Sequence, residues 1–291
     1  MKRYIFFLLL FGFPAIAFSQ IRIMMGGAEK TVKYETLDKG VLRVLYETNS
    51  VTDTSKPDKK QQDYMVLEVG EKGISRFYSD NRRRMDSVVT EMMKSGGPIR
   101  IDRNTMSDNG ISSQGDSKEI FKNYPAGKIT VTDFIVSSNF LYEEDRPAFQ
   151  WQIEPDTREI MSYTCQKAVA DFRGRHYEVW FAPDLPLNDG PWKFSGLPGL
   201  ILAAEDSAKY FTFKAIGIEH SDKPVLFPQK DYVKTSRKEV EKVQKRFIED
   251  PMGFIKNSNP GANILIKTRD ENGVERTGNE VKIPYNPMEL E

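Results

Sequence analysis

Residues 165–206 read CQKAVADFRGRHYEVWFAPDLPLNDGPWKFSGLPGLILAAED, and this stretch decides the fold of the chain. Its first half predicts a β-hairpin that turns at Arg173-Gly174, because glycine takes positive φ at no steric cost. This turn sets Phe172 opposite Arg175. Since side chains alternate between the two faces of a strand, the hairpin has one apolar face and one mixed face. The apolar face carries Ala168, Ala170, Tyr177, Val179 and Phe181, and the mixed face carries Cys165, Lys167, Val169, Asp171, His176, Glu178 and Trp180.

The hairpin is followed by a loop. Residues 182–192, APDLPLNDGPW, contain prolines and a glycine that exclude both a helix and a regular strand ladder. Next, residues 196–199 (GLPG) predict a turn, and Pro198 followed by Gly199 suits the two central positions of a type II turn. Two more strands are expected, at 200–204 and 210–216.

The same residues carry a family resemblance. The run GPWKFSGLPGLIL resembles the signature of the GLPGLI family of secreted Bacteroidota proteins, which is named for Gly196, Leu197, Pro198, Gly199, Leu200 and Ile201. The resemblance extends to 163–168 (YTCQKA), 172–175 (FRGR) and 285–291 (YNPMELE). A similar region forms the N-terminal bowl-like domain of type II peptide:N-glycanases. The resemblance implies a bowl-like β fold and a secreted location, but no catalytic residues, because the family has no assigned activity.

The start of the chain is typical of a secretory signal peptide. Lys2 and Arg3 precede an apolar run, and small residues lead up to Ser19. We expect export with cleavage after residue 19, which leaves 20–291 as a single GLPGLI-type domain that is periplasmic, on the outer surface or secreted. The apolar run is too short for a stable membrane span, and Cys165 is too far from the cleavage site to carry a lipid anchor.

Composition argues against several classes of function. The chain has 42 Lys and Arg against 42 Asp and Glu, so charge gives no reason to expect a nucleic-acid or anionic-membrane partner. A single cysteine cannot form an intramolecular disulfide. The two histidines lie in no metal-binding motif. We therefore expect no cofactor, no metal site and no catalytic constellation.

The rest of the chain predicts short strands in sequential hairpins, with two helices inserted. The first helix has Asp80 as its expected N-cap, carries a methionine-rich stripe and stops at Gly96-Gly97. The second spans 237–249, with capping-box residues Ser236 and Glu239. A turn is predicted at 154–158 and a mobile loop at 102–117. About ten strands of this kind predict a mainly β fold, a strongly curved antiparallel sheet shaped as a bowl or half-barrel, with a helix in or against its concave side.

Two groups of polar residues resemble reactive sites. Cys165 and His176 invite a nucleophile–base interpretation, which needs hydrogen-bond contact. In the predicted hairpin they lie roughly six residue steps apart, about 20 Å. A metal site or an acid–base pair could be built from His176, the opposing Asp171 and Glu178 on the same face. Ordinary charge pairing across the hairpin is the favoured interpretation.

The aromatic residues of the decisive stretch form the most suggestive group. Met161, Tyr163, Lys167, Trp180 and Trp192 are predicted on or beside one face, as a candidate ligand or partner surface. The alternative is that the first helix fills the bowl with its methionines and makes this face part of the core.

Two hypotheses for function follow. The first is a secreted, non-enzymatic binding or interaction module that holds a hydrophobic ligand, a peptide or an envelope or extracellular partner protein on a curved sheet. The second is a hydrolase acting on glycans or peptides in the cell envelope, with carboxylates as acid and base; residues 143–145 (EED) and 205–206 (ED) supply such carboxylates.

Overall fold

In a computed structural model of the protein, the described residues are 21–23, 32–95, 99–101, 103–113, 115–136, 138–258, 267–269, 275–277 and 283–290. The signal-peptide prediction lies outside them. The strands are β1 (Ile21–Ile23), β2 (Lys33–Asp38), β3 (Gly40–Ser50), β4 (Gln61–Gly70), β5 (Ser75–Ser79), β6 (Ile99–Ile101), β7 (Glu119–Lys122), β8 (Lys128–Ile135), β9 (Ser138–Asp145), β10 (Gln152–Ile160), β11 (Tyr163–Phe172), β12 (Arg175–Ala182), β13 (Leu200–Asp206), β14 (Phe211–His220), β15 (Val225–Gln229), β16 (Tyr232–Thr235), β17 (Lys267–Arg269) and β18 (Glu275–Thr277). The helices are α1 (Asp80–Lys94), α2 (Arg103–Asp108), α3 (Arg237–Glu249) and α4 (Pro251–Ser258).

The described strands build one large sheet, accompanied by three strand pairs. The large sheet has twelve strands in the order β10-β11-β12-β13-β14-β3-β4-β5-β7-β8-β9-β16. Its pairs are antiparallel except for β16, which runs parallel to β9. Its two edge strands do not pair with each other, so the sheet is open. The predicted fold class, a mainly β protein with a bowl-like or half-barrel sheet, is confirmed.

The sheet is strongly curved. In a flat sheet, strands three positions apart are separated by about 14 Å. Phe77 on β5 and Phe213 on β14 are three positions apart, yet their ring centroids are only 6.3 Å apart. The intrinsic twist of strands and the register shifts within the ladders, such as the one between Trp180 and Phe181, produce this bend. The concave side therefore encloses the main hydrophobic core.

The predicted hairpin at the centre of the sequence is confirmed with its register. Phe172 pairs with Arg175, and Asp171 pairs with His176. Arg173 and Gly174 both have positive φ, 44° and 76°, which is the pattern of the tight hairpin turn whose twist matches that of the strands.

The turn predicted at 154–158 is wrong. β10 continues to Ile160, and the chain reverses at Met161 and Ser162, whose φ values are 51° and 65°. The predicted turn residues are accommodated as an irregularity between Ile153 and Thr157. Pro155 is tolerated there because β10 is an edge strand, where a missing backbone donor disrupts no further ladder.

The two predicted helices are confirmed as α1 and α3. The Ser236 hydroxyl accepts the backbone N–H of Glu239 at the start of α3. Two short helices were not predicted: α2 within the supposed loop at 102–117, and α4 directly after α3. In α4, Asp250 accepts the N–H of Gly253 at 2.9 Å and Pro251 takes the first helical position, an arrangement that favours a new helix.

The concave side is not filled by α1. Met85 of α1 packs in a separate small cluster with Ile111. The main core instead receives Val240 and Phe247 of α3 and Ile255 of α4. The predicted helix against the concave side is therefore α3. On the convex side, β15 packs onto the large sheet through Phe227, whose ring lies 4.8 Å from that of Phe121.

Candidate functional site

The space inside the bowl is occupied by the chain's own loop, residues 183–199, which we name the signature loop. Its Phe194 is 0% exposed. The Phe194 ring lies 5.0 Å from that of Tyr177 on β12 and 6.2 Å from that of Phe213 on β14. Trp192 from the same loop packs 5.1 Å from Phe194. Among the described residues, the centre of the bowl is thus a packed aromatic core and not a ligand cavity.

A buried lysine ties this loop to the sheet. Lys122 on β7 is 1% exposed, donates to the Gly190 carbonyl at 2.5 Å and is ion-paired with Asp189. Burial lowers the pKa of Lys122, and the negative charge of Asp189 opposes that effect. Moving the loop away would leave the buried charge of Lys122 unpaired, which is costly. The Lys122–Asp189 pair therefore stabilises the conformation in which the signature loop packs against the sheet.

The type II turn predicted at Gly196–Gly199 is wrong, although the glycines have clear roles. Positive φ falls at Gly196, 99°, and not at Gly199. A Cβ on Gly199 would lie 2.2 Å from the Ala182 carbonyl oxygen. Gly199 is therefore required because its backbone lies directly against the backbone of Ala182 and Pro183. Leu197, Leu200 and Ile201 are buried, whereas Pro198 is exposed.

Three of the four segments that carry the family resemblance meet at one place. Arg173 of the β11–β12 turn binds Glu144 on β9 at 2.7 Å and Glu289 at 2.5 Å. Lys193 of the signature loop binds the same two carboxylates. Glu289 belongs to residues 283–290, which we name the tail. Burial opposes ionisation of Glu144, but the charge of Lys193 and hydrogen bonds from Arg173 and Lys193 outweigh it and lower its pKa.

The five residues of the predicted ligand face do not share one surface. Trp192 contacts Phe172 and Tyr177, which lie on the core face of the hairpin. Lys167 and Trp180 lie opposite each other on the other face. Tyr163 is half-buried in β11, and Met161 lies in the turn before it with 37% exposure. The aromatic residues therefore divide between the two faces of the hairpin.

The face with Lys167 and Trp180 is a charge ladder. Lys167 bridges Glu178 at 2.9 Å and Glu154 at 3.1 Å, and these hydrogen bonds raise the pKa of Lys167. The Arg158 guanidinium lies 4.2 Å from the Trp180 ring centroid, and the indole N–H donates to Glu178. Trp180 is 9% exposed. The charges are satisfied and the indole is covered, so this face offers little for a ligand to bind.

Cys165 and His176 are not brought together. Cys165 is buried near one end of the hairpin. His176 is exposed near the other end, where its Nδ1 lies 2.8 Å from the Asp171 carboxylate. Within the described part of the chain, no three His, Cys, Asp or Glu side chains converge as a metal site. No helix there combines the length and apolarity needed to cross a bilayer.

A surface that sequence reasoning missed lies over the signature loop. Arg146 donates to Ser195 Oγ at 3.2 Å and to the Asn188 carbonyl at 2.9 Å. Trp151 donates its indole N–H to the Ser195 carbonyl at 2.8 Å, and a Cβ on Gly196 would lie 3.3 Å from that indole nitrogen. We name Arg146, Trp151, Asn188, Gly196 and Pro198 the loop mouth. The run RPAFQW at 146–151, arginine and aromatics in a segment without regular structure, was the available signal.

Comparisons with known proteins give one short family match and two distant structural matches. Residues 173–203, the second hairpin strand and signature loop, match a family model described as a protein of unknown function, Porph_ging. The GLPGLI name itself rests on the sequence resemblance. No curated protein matches significantly. Two solved structures, of PNGF-II in the C2 and P21 space groups, are similar at 12% identity and a TM-score of 0.49 each. They cover 78% and 70% of this chain, and it spans 34% and 33% of theirs.

Proposed function

We propose that this chain is an exported, non-enzymatic interaction module that binds a partner protein through the loop mouth. One observation carries the proposal. Arg146 sits beside Trp151 at the surface, held by two hydrogen bonds to the signature loop, and within the described residues it forms no ion pair.

The composition and rigidity of the loop mouth support this role. Arginine and tryptophan dominate the binding energy of protein interfaces. Both side chains are anchored to the loop backbone, and the Trp151 ring stacks on Phe149 with centroids 5.0 Å apart and an interplanar angle of 18°. Side chains that are ordered before binding lose less entropy on association. The packed aromatic core beneath the signature loop holds the loop mouth in one conformation.

The charge around Arg146 defines the chemistry of the partner. Lys122, a buried cation close enough to repel Arg146, is neutralised by Asp189, and no described carboxylate is ion-paired with the Arg146 guanidinium. A partner carboxylate that contacts Arg146, next to an apolar group that contacts Trp151, complements this surface. A hydrophobic ligand inside the bowl is not supported, because Phe194 and its neighbours fill that space.

The alternative, a hydrolase, has less support from the described residues. Glu144 and Glu289 converge, but each is ion-paired with Arg173 and Lys193. A general acid needs a carboxyl group with a raised pKa, whereas the pKa of Glu144 is lowered. This arrangement supports a binding module over hydrolysis of glycans or peptides.

Export is part of the proposal and rests on the sequence of residues 1–19. N-terminal sequencing of the protein from the envelope or medium of its own cells tests it. The expected first residue is Gln20, with 20–291 retained as one domain. Full-length protein recovered from the cytoplasm contradicts export without bearing on the loop mouth.

The partner is tested by photocrosslinking from the loop mouth. A benzoylphenylalanine placed at Pro198 is compared with one at Lys209, an exposed residue of the β13–β14 turn. We expect a discrete crosslinked partner from position 198 only, and its loss in Arg146→Glu. Equal crosslinking from both positions, or none from 198 in the envelope fraction, overturns the proposal. Release of glycans or peptides from a denatured glycoprotein by the purified chain also overturns it, in favour of the hydrolase.

A further inference from the structure

The tail is bound in the manner of a peptide ligand. Residues 283–290 have no helix or strand pairing, and most of their hydrogen-bond partners lie more than a hundred positions away in sequence, the nearest in the seat being Arg237 at 52 positions from Glu289. These partners are residues of the β11–β12 hairpin, the signature loop and α3. We name them the tail seat: Arg173, Gly174, Arg175, Tyr177, Lys193 and Arg237.

The seat recognises the backbone of the tail. The Arg175 guanidinium donates to the Met288 carbonyl at 3.1 Å and to the Pro287 carbonyl at 2.6 Å. The Tyr177 hydroxyl donates to the Met288 carbonyl at 3.0 Å. The Leu290 N–H donates to the Arg173 carbonyl at 3.0 Å. Such main-chain contacts fix an extended segment in one register.

The seat also selects side chains. Glu289 is held by Arg173, Lys193 and Arg237. Asn286 accepts from Arg175 at 2.6 Å and donates to the Val51 carbonyl at 2.8 Å. Leu290 lies over Gly174, and a Cβ added to Gly174 would lie 2.9 Å from the Cβ of Leu290. The selected pattern is Asn-Pro-x-Glu followed by an apolar residue.

The seat is positioned independently of the tail. Arg173 and Lys193 are both held by Glu144. Arg175 binds Asp206 at 3.1 Å and lies over the Phe211 ring, and Arg237 binds Glu241 at 2.6 Å. Without Glu289, Arg173, Lys193 and Arg237 face two remaining carboxylates, Glu144 and Glu241, so the empty seat carries an excess positive charge. A preformed cationic seat binds an acidic peptide with little ordering cost.

We propose that the tail seat is a peptide-recognition site in its own right, and that it binds the tail of a second copy of this chain when its own tail is displaced. The second copy is the occupant because every copy carries the segment that fits, and exchange of an identical element between protomers replaces each contact with an equivalent one. This interaction uses a different surface from the loop mouth, so either can fail without the other.

The decisive experiment mixes two charge-reversed full-length chains. Glu289→Lys leaves the seat intact and reverses the charge of the tail. Arg173→Glu leaves the tail intact and reverses one charge of the seat. Each alone should be monomeric by light scattering, and an equimolar mixture should form a heterodimer, because each tail then finds a complementary seat. A mixture that stays monomeric, although circular dichroism shows both chains folded, overturns the proposal.

A second measurement keeps the test valid should Arg173→Glu fail to fold. A fluorescent peptide of residues 283–290, IPYNPMEL, is titrated into Glu289→Lys. We expect saturable binding, and about 30-fold or greater weakening when the glutamate of the peptide is replaced by alanine, as for removal of one partner from a desolvated charge pair. Wild-type protein should bind more weakly, because its own tail competes. Absence of binding to Glu289→Lys overturns the proposal.

Discussion

Arg173 and Glu144 form an ion pair of 2.7 Å across the opening of the bowl. Arg173 adjoins β12, the third strand of the sheet, and Glu144 lies on β9, the eleventh. The sheet therefore curves until strands near its two ends nearly meet, and Lys193 and Glu289 join the pair at that point. Three of the four segments that carry the family resemblance thus meet where the two ends of the sheet approach each other.

Gly199→Ala tests the close approach in the signature loop. A Cβ there meets the Ala182 carbonyl oxygen at 2.2 Å, and backbone on both sides must shift. We expect the free energy of unfolding to fall by about 1–3 kcal/mol or more, measured by urea denaturation. Gly217→Ala is the matched control, since its nearest atom is Leu45 Cβ at 3.6 Å. Equal effects of the two substitutions would contradict the steric explanation.

Lys122→Ala tests the buried pair that holds the loop. The substitution leaves Asp189 charged and without its cation in the core, so we expect a loss of about 3–5 kcal/mol in the free energy of unfolding. Lys128→Ala, which breaks the exposed pair with Asp145, should cost no more than about 1 kcal/mol. The same denaturation assay compares them. A Lys122→Ala chain as stable as the control would show that the pair does not stabilise the loop.

Local features of this fold could be predicted from the sequence. The hairpin register follows from Arg173-Gly174 because a two-residue turn fixes which residues oppose each other. The start of α3 follows from Ser236 and Glu239, whose contact is between neighbours in sequence. In each case the determining residues lie within a few positions of one another.

Features that depend on distant residues could not be predicted. The chain between Ile153 and Thr157 contains a proline and resembles a turn, but pairing with β11 keeps it in a strand. Trp192 was expected beside Trp180, and it lies on the other face because the signature loop folds back into the bowl. The tail seat joins residues more than a hundred positions apart, for which the sequence pattern offers no distance information.

Glu144 should make stability depend on pH. Its pKa in the folded protein is lowered from 4.5, so its contribution is fully present above pH 4.5 and is lost as the pH falls through the folded pKa. We expect the free energy of unfolding to drop on acidification below about pH 4.5, and to drop less in Glu144→Gln. That variant should also be less stable at pH 7, by roughly 2–5 kcal/mol, because Arg173 and Lys193 lose a shared partner. Glu143→Gln, at the exposed neighbour, should retain the wild-type profile; identical profiles for both variants would contradict the assignment.

Cys165 should be nearly inert in the folded protein. Burial raises the pKa of its thiol to about 11, although the charge of Arg158 opposes this, and only the thiolate reacts with alkylating agents. At pH 8 we expect iodoacetamide to modify native protein at least about 100-fold more slowly than denatured protein, followed by mass spectrometry. A chain carrying Cys165→Ser and Ala208→Cys, with the new thiol in an exposed turn, should react quickly in both states. Rapid modification of Cys165 in native protein would mean that the β10–β12 end of the sheet opens on the timescale of the reaction, and that the packing of Cys165 in the main core does not hold it closed.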